Sequence, residues 1–227
     1  MSCTALFWSL LLLFCFANGT HLVGANPAVA KQLDTGMPSS WTREGCSMCS
    51  CDFVSKTVNC SGIDLHDGLP SASVFPTDMT VFLFQNCSVS VIDPNYFLNF
   101  SSLERIHGND NKLKESFFLP PKIVTLQLRD NYVTNASAFF QRHLYNYSYL
   151  NTFDLRGNSI QRIETRGISD IPNLTLLYLD NMRKGLVLDN EAISNLPGLA
   201  ELYLSNNNMT LASLQGCHNL AKKSRSL

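Results

Sequence analysis

The sequence predicts an α/β fold, namely a solenoid with a curved parallel β-sheet on its concave face and an irregular or short helical convex side. Three observations predict this fold. An apolar segment opens the chain, four cysteines cluster in residues 46–60, and an apolar pattern containing asparagine then recurs six times. Repeats with a period of about 20 to 50 residues are typical of stacked units that share one core.

The N-terminal element is an apolar run from Ala5 to Ala17, followed by small residues. A bilayer-spanning helix needs about twenty apolar residues, and this run is shorter. The pattern is typical of a secretory signal peptide, and an uncleaved anchor is the alternative because Lys and Arg are missing before the run. We assign residues 1–25 to the signal peptide and residues 26–45, which show no periodicity, to a flexible leader.

The clustered cysteines lie in the stretch CSMCSCDFVSKTVNC. Their spacing alone allows a zinc site, a redox site or disulfides. A secreted chain meets an oxidising environment, in which clustered cysteines form disulfides. Seven N-x-[ST] sequons after the signal peptide agree with this route and predict a glycoprotein, although folding around Cys60 could occlude the first of them. The sequon asparagines are Asn59, Asn86, Asn99, Asn135, Asn146, Asn173 and Asn208.

The charge balance and the scattered histidines exclude several classes of function. The chain carries 17 basic and 18 acidic side chains and is almost neutral. A nucleic-acid partner is not expected, because it would need a basic stripe. No segment after the signal peptide predicts a membrane span. No catalytic or metal-binding motif surrounds the histidines, so we expect no enzyme activity, no cofactor and no metal.

The repeated pattern places apolar residues at positions 1, 4, 6 and 11 and asparagine at position 9, and four of the six copies fit LxxLxLxxNxL closely. This is the leucine-rich repeat, so residues 79–220 are predicted to form six repeats of a leucine-rich-repeat solenoid. The alternating part of each repeat is expected to form a strand with its leucine-type residues inward. The copies start at Met79, Leu103, Ile123, Leu150, Leu174 and Leu199.

Position 9 is expected to form a ladder of buried side chains that hydrogen-bond the backbone of the turn in the next repeat. The ladder residues are Cys87, Asn111, Asn131, Asn158 and Asn207. A small thiol replaces asparagine only weakly at the first of them. In the fifth repeat Met182 takes the ladder position and Lys184 the apolar position, which predicts a bulge or a shift of one residue.

A second apolar register lies six and three residues before each repeat start. These residues are predicted to fill the core on the convex side. They are Phe97 and Phe100, Phe117 and Pro120, Leu144 and Tyr147, Ile168 and Ile171, and Ile193 and Leu196.

Residues 46–78 resemble the cysteine-rich N-terminal cap of extracellular leucine-rich-repeat proteins such as Slit, the small leucine-rich proteoglycans, and the ectodomains of Toll-like and variable lymphocyte receptors. A solenoid needs such a cap to shield its first repeat from water. The resemblance implies disulfides between Cys46 and Cys51 and between Cys49 and Cys60, which is one of three connectivities.

The C-terminal end lacks the cysteine-rich cap that such ectodomains usually carry, and residues 221–227 form a basic tail. We expect the sixth repeat to leave an apolar end and Cys217 to have no disulfide partner within reach. Two explanations stay open at this stage. The chain is part of a longer receptor, or it shields this end by self-association.

The concave face is the candidate binding surface, because Tyr and Arg on rigid strands make good interface anchors. The candidate ligand-binding residues are Arg129, Arg156, Tyr178 and Tyr203. Glycans at the sequons between strands would leave the middle of this face uncovered. We therefore expect a secreted or cell-surface, non-catalytic recognition module that binds an extracellular protein ligand. The alternatives are a structural matrix protein of the small proteoglycan type and a secreted hydrolase inhibitor.

Overall fold

The structure is a computed structural model that describes residues 43–114, 117–140 and 147–209. These residues all belong to one compact unit, residues 37–227. The predicted signal peptide, most of the leader, the basic tail, Leu144, Asn146 and Cys217 lie outside the described residues. In the described part of the chain, every helix is too short or too polar to cross a membrane.

The N-terminal cap is built from a short helix and a hairpin. Helix α1 (Arg43–Met48) begins two residues before the predicted end of the leader, and β1 (Ser50–Asp52) pairs antiparallel with β2 (Thr57–Asn59). Two disulfides hold these elements together, with Cα atoms 5.4 Å apart for Cys46 and Cys51 and 4.5 Å apart for Cys49 and Cys60. They are the same pairs that the resemblance implies.

The repeats build one parallel sheet onto this cap, because each contributes a three-residue strand at positions 3 to 5. The remaining strands are β3 (Val81–Leu83), β4 (Arg105–His107), β5 (Thr125–Gln127), β6 (Thr152–Asp154), β7 (Arg162–Ile163), β8 (Ile168–Ser169), β9 (Leu176–Tyr178), β10 (Val187–Leu188), β11 (Ile193–Ser194) and β12 (Glu201–Tyr203). The eight-stranded sheet has the order β1-β2-β3-β4-β5-β6-β9-β12. From β2 onward the pairing is parallel and equivalent repeat positions face each other. The protein is thus a leucine-rich-repeat solenoid.

The segments that return the chain to the sheet differ along the solenoid. In the cap and the first repeats they contain short 3-10 helices at Ala72–Val74, Tyr96–Asn99 and Ser137–Phe140. Farther along, β10 pairs parallel with β7 and β11 pairs parallel with β8. The sequence predicted irregular or short helical segments, so these two small sheets are a feature that it did not reveal.

The core is continuous from the cap to the sixth repeat and is rich in phenylalanine. Phe82, Phe97 and Phe117 are fully buried, with ring centroids 6.0 Å and 4.7 Å apart from one to the next. At position 6 of the second repeat the ring of Phe84 lies where a side chain on Gly108 would project. The apolar register before each repeat start is buried at every described position, as the sequence predicts.

The ladder asparagines are buried and bond the backbone of the preceding repeat, not the next one as the sequence analysis expected. Asn111 accepts hydrogen bonds from the amides of Cys87 and Val89 and donates to the carbonyl of Phe84. Asn131, Asn158 and Asn207 likewise accept from an amide and donate to a carbonyl of the repeat that precedes each of them. The direction follows from the turn, which leaves these backbone groups facing the later repeat.

Position 8 shows why the turns tolerate so few residue types. In each repeat its φ is between 53° and 67°, a left-handed conformation that favours Asn, Asp and Gly. The residues there are Asn86, Asp110, Asp130, Gly157, Asn181 and Asn206. Each turn of the first five repeats donates its position 8 amide to the next repeat, so these conformations lock neighbouring turns together.

The ladder changes at the fifth repeat, where the side chain of Met182 is buried but offers no amide. The guanidinium of the adjacent Arg183 donates instead to the carbonyl of Gly157, at 3.0 Å. Lys184 is exposed and Leu186 is buried. Val187 at position 14 pairs with Arg162 at position 13 of the fourth repeat, so the predicted irregularity is present as a shift of one residue.

Candidate functional site

The candidate site is the solvent side of the main sheet at positions 3, 5 and 7, which we call the sheet face. Repeats one to three form its N-terminal half: Val81, Leu83, Gln85, Arg105, His107, Asn109, Thr125, Gln127 and Arg129. Repeats four to six form its C-terminal half: Thr152, Asp154, Arg156, Leu176, Tyr178, Asp180, Glu201, Tyr203 and Ser205. The four predicted ligand-binding residues all lie on this face.

Arg156 is fixed by the nearly buried carboxylate of Asp154, the last residue of β6. Its Nη2 lies 2.6 Å from Oδ2 of Asp154 and its Nε lies 3.0 Å from Oδ1. The backbone amide of Arg156 also donates to Oδ1 of Asp154, at 3.1 Å. The hydrogen bonding of the guanidinium raises the pKa of Arg156, and the charge of Asp180 adds to the effect. The guanidinium is a permanently charged, oriented group.

The same guanidinium begins an aromatic stack that crosses the next two strands. The Cζ atom of Arg156 lies 4.5 Å from the ring centroid of Tyr178. The Tyr178 and Tyr203 rings are stacked with their centroids 4.5 Å apart and an interplanar angle of 16°. Such cation–π and aromatic contacts each contribute about 0.5 to 1.5 kcal/mol. Arg156, Tyr178 and Tyr203 are therefore one preorganised cluster, which we call the tyrosine stack.

The last member of the stack is held by an acidic residue. The hydroxyl of Tyr203 donates a hydrogen bond to Oε2 of Glu201, and this bond raises the pKa of the tyrosine. Tyr203 is 39% exposed and Glu201 is also exposed. Solvent therefore reaches the ring and the carboxylate at this end of the stack.

Arg129 lies on the sheet face but does not join the stack. Its Nη2 lies 3.3 Å from Oδ2 of Asp110, and its Nε lies 3.1 Å from Oδ2 of Asp130. Both carboxylates occupy position 8, at the edge of the sheet face. Three of the four predicted residues thus lie in one cluster, and Arg129 is held by separate ion pairs with Asp110 and Asp130.

The N-terminal half contains an unusual histidine. The Nε2 atom of His107 is buried and has no hydrogen-bond partner among the described residues. Burial lowers the pKa of this imidazole, and the positive charge of Arg105 lowers it further. His107 is therefore neutral at physiological pH.

The two halves of the sheet face carry opposite charge. The N-terminal half has Arg105 and Arg129 and no carboxylate. The C-terminal half has Asp154, Asp180 and Glu201 against the single cation of Arg156.

Sequence reasoning did not select these acidic residues as part of the site. Asp180 is only 7% exposed, and its Oδ1 accepts a hydrogen bond from the Ser205 amide in the next repeat. The alternation of the strands already placed Asp154 beside Arg156, and Asp180 was recognised only as a surface position. Glu201 lies at position 3, and the sequence analysis named candidate residues only at positions 5 and 7.

The sequon asparagines in the described residues are all exposed. They are Asn59, Asn86, Asn99, Asn135, Asn173 and Asn208. Asn59 is the last residue of β2, the second strand of the sheet, and it is exposed, so folding does not bury it, contrary to the occlusion that we considered. Asn99 and Asn135 lie in and beside the 3-10 segments, away from the sheet face.

The described residues contain one cysteine outside the disulfides, Cys87. Its thiol is buried and donates to the carbonyl of Cys60, at 3.1 Å, so it occupies its ladder position. Burial raises the pKa of the thiol, which disfavours the reactive thiolate. In residues 43–114, 117–140 and 147–209, no group of three His, Cys, Asp or Glu side chains is arranged to hold a metal ion.

Part of the repeat region matches a known protein family. Residues 121–183 match the family model described as leucine rich repeat. This segment contains the third and fourth repeats and the strand of the fifth. A search of curated proteins finds no match to the chain.

Proposed function

We propose that this protein is a secreted or cell-surface recognition module that binds an extracellular protein ligand through its sheet face, without catalysis. The leucine-rich-repeat fold suggests a protein-interaction module, since its strands present a broad, rigid surface. The proposed contact residues are Tyr178, Tyr203, Arg156 and, at the edge, Arg129.

The tyrosine stack is the observation that carries this proposal. Tyr and Arg dominate the energetics of many protein interfaces. Here the contact groups are held before any partner binds, because Asp154 orients Arg156 and the guanidinium stacks on Tyr178. Preorganised side chains lose little conformational entropy on binding. The stack therefore fits a binding function better than a passive solvated surface.

The extracellular setting is proposed on three grounds. The first is the signal-like N-terminal segment, the second is the pair of disulfides, and the third is the exposure of the six described sequon asparagines. Disulfides persist in oxidising compartments. Glycans on the 3-10 side of the solenoid would not cover the tyrosine stack.

Binding is tested with the secreted full chain, assembled into fluorescent tetramers and used to stain cells that each display one extracellular protein. We expect the wild type to stain a small set of these cells. Tyr178→Ala with Tyr203→Ala should reduce that staining at least about tenfold, because the interface loses its aromatic anchors.

The matched control is Tyr132→Ala with Tyr149→Ala. These two tyrosines are also exposed, at 41% and 59%, but they lie outside the sheet face. The control should stain like the wild type. Equal loss in both variants, or no loss in the sheet-face variant while its melting temperature is unchanged, would refute the proposed surface.

A further inference from the structure

We infer that the C-terminal half of the sheet face binds a peptide segment that presents arginine or lysine side chains to Glu201 and Tyr203. This inference rests on the proposed function and specifies the chemistry of the partner. It is carried by charge complementarity together with the geometry of the tyrosine stack.

The charge in this half is not balanced among the described residues. Asp154 and Asp180 are only 3% and 7% exposed, and of the described cations the guanidinium of Arg156 lies near both. Asp154 takes the close pairing, and the described hydrogen bond of Asp180 is to a neutral amide. Nearly buried carboxylates that lack a full counter-charge create a negative potential at the adjacent surface. A cation that approaches this surface is therefore attracted.

The accessible groups at that surface are suited to a cation. Glu201 is exposed and its described partner is the hydroxyl of Tyr203, a neutral donor. Tyrosine rings bind guanidinium and ammonium groups on their faces. Within this chain, Arg156 already uses the face of Tyr178 in this way. Tyr203 extends the same stack toward solvent and offers an equivalent surface to an arginine of the partner.

The N-terminal half does not fit the same ligand. It has no carboxylate among its nine sheet-face positions, and its exposed Arg105 would repel a cation. The nearby acidic residues Asp110 and Asp130 are already paired with Arg129. The basic segment is therefore expected to occupy one half of the sheet face and not its whole length.

The test uses phage-displayed random dodecapeptides selected on the secreted full chain. We expect the selected peptides to be enriched in Arg and Lys, and a synthetic copy of one to bind more weakly as salt is raised. Asp180→Asn with Glu201→Gln should weaken that peptide at least about tenfold. Both substitutions keep a hydrogen-bond acceptor at the same place and remove only the charge.

The matched control is Asp110→Asn with Asp130→Asn, which removes two negative charges beside Arg129. It should bind the synthetic peptide like the wild type. Peptides without basic enrichment that still require Tyr178 and Tyr203 would overturn this inference and support the proposed function. Peptides that bind equally well to Tyr178→Ala with Tyr203→Ala and to Asp180→Asn with Glu201→Gln would overturn this inference and the proposed function.

Self-association is the remaining occupant to exclude. Sedimentation velocity compares the wild type with the variant Asp180→Asn with Glu201→Gln, and we expect both to have the same oligomeric state. A wild-type dimer that dissociates in the variant would overturn the inference, because the second copy and not a basic peptide would then cover the surface.

Discussion

The two halves of the sheet face are built on the same interior and carry different chemistry. In both halves a buried asparagine ladder and a continuous apolar core fix three-residue strands. The N-terminal half then presents two arginines, amides and a neutral histidine. The C-terminal half presents three carboxylates, one paired arginine and two stacked tyrosines. The comparison shows that the repeat specifies the scaffold, and the positions between the leucines specify the surface.

This difference separates stability from binding. Substitutions in the ladder should destabilise the protein in either half, since the interior is common to both. Substitutions on the sheet face should affect the free energy of unfolding only where a side chain holds a buried group, as Arg156 holds Asp154.

The largest expected effect is on the ladder. Asn131→Ala and Asn158→Ala should each lower the free energy of unfolding by about 2 to 5 kcal/mol, because the buried amides of Leu113 and Val133 lose their acceptors. Urea denaturation of the disulfide-intact protein measures this. Asn190→Ala, at an exposed asparagine, is the control and should change it by less than about 0.5 kcal/mol. An unchanged free energy of unfolding in either ladder variant would contradict a shared interior.

The next effect is specific to the C-terminal half. Arg156→Ala should cost about 1 to 3 kcal/mol, because the charged group of Asp154 stays nearly buried without its partner. Adding Asp154→Asn should recover part of this loss, and a double-mutant cycle by urea denaturation measures the coupling. Additive effects of the two substitutions would show that the pair does not stabilise the fold. The binding tests above therefore leave Arg156 unchanged.

A pH effect is expected from the N-terminal half. The pKa of His107 in the folded chain is lower than its ordinary value of 6.5, so below pH 6.5 the unfolded chain binds the proton first. Stability should therefore fall as the pH decreases from 6.5 toward the folded pKa, and this component should be flat above 6.5. His107→Gln should remove this component of the pH dependence. Identical pH profiles of the free energy of unfolding for wild type and variant would contradict the assignment.

The smallest effect is expected at Arg129. Its two pairs are exposed, so Arg129→Ala should change the free energy of unfolding by about 0 to 1 kcal/mol. It should also weaken partner binding less than Tyr203→Ala does, since the residue lies outside the tyrosine stack. Titration of an identified partner against both variants measures this, and the reverse order would place the binding surface in the N-terminal half.

Much of the fold could be predicted because the leucine-rich repeat is a local pattern. The spacing of apolar residues fixed the strands, their register and the identity of the ladder asparagines. The direction of the ladder bonds was wrong, because the pattern does not say which neighbour's backbone is left unpaired. The small sheets formed by β7 with β10 and β8 with β11 were missed, since two-residue strands have no usable periodicity.

The candidate site could be predicted only in part. Alternation along a strand placed Arg156, Tyr178 and Tyr203 on one face, and the structure brings them into contact. Alternation does not predict the direction of a long side chain. For this reason Arg129 was grouped with these three residues, although its guanidinium turns toward Asp110. The burial of Asp180, and hence the charge imbalance, depends on packing between neighbouring repeats.

The most direct measurement is a glycan scan of the sheet face. Tyr203→Asn creates the sequon N-L-S in the C-terminal half, and Leu83→Asn with Gln85→Ser creates N-F-S in the N-terminal half. Each variant is secreted, its added glycan is verified by mass spectrometry, and partner binding is measured before and after enzymatic removal of the glycan. We expect the glycan at position 203 to abolish binding and its removal to restore part of it, while the glycan at position 83 leaves binding unchanged. Full binding by the variant glycosylated at position 203 would contradict the account.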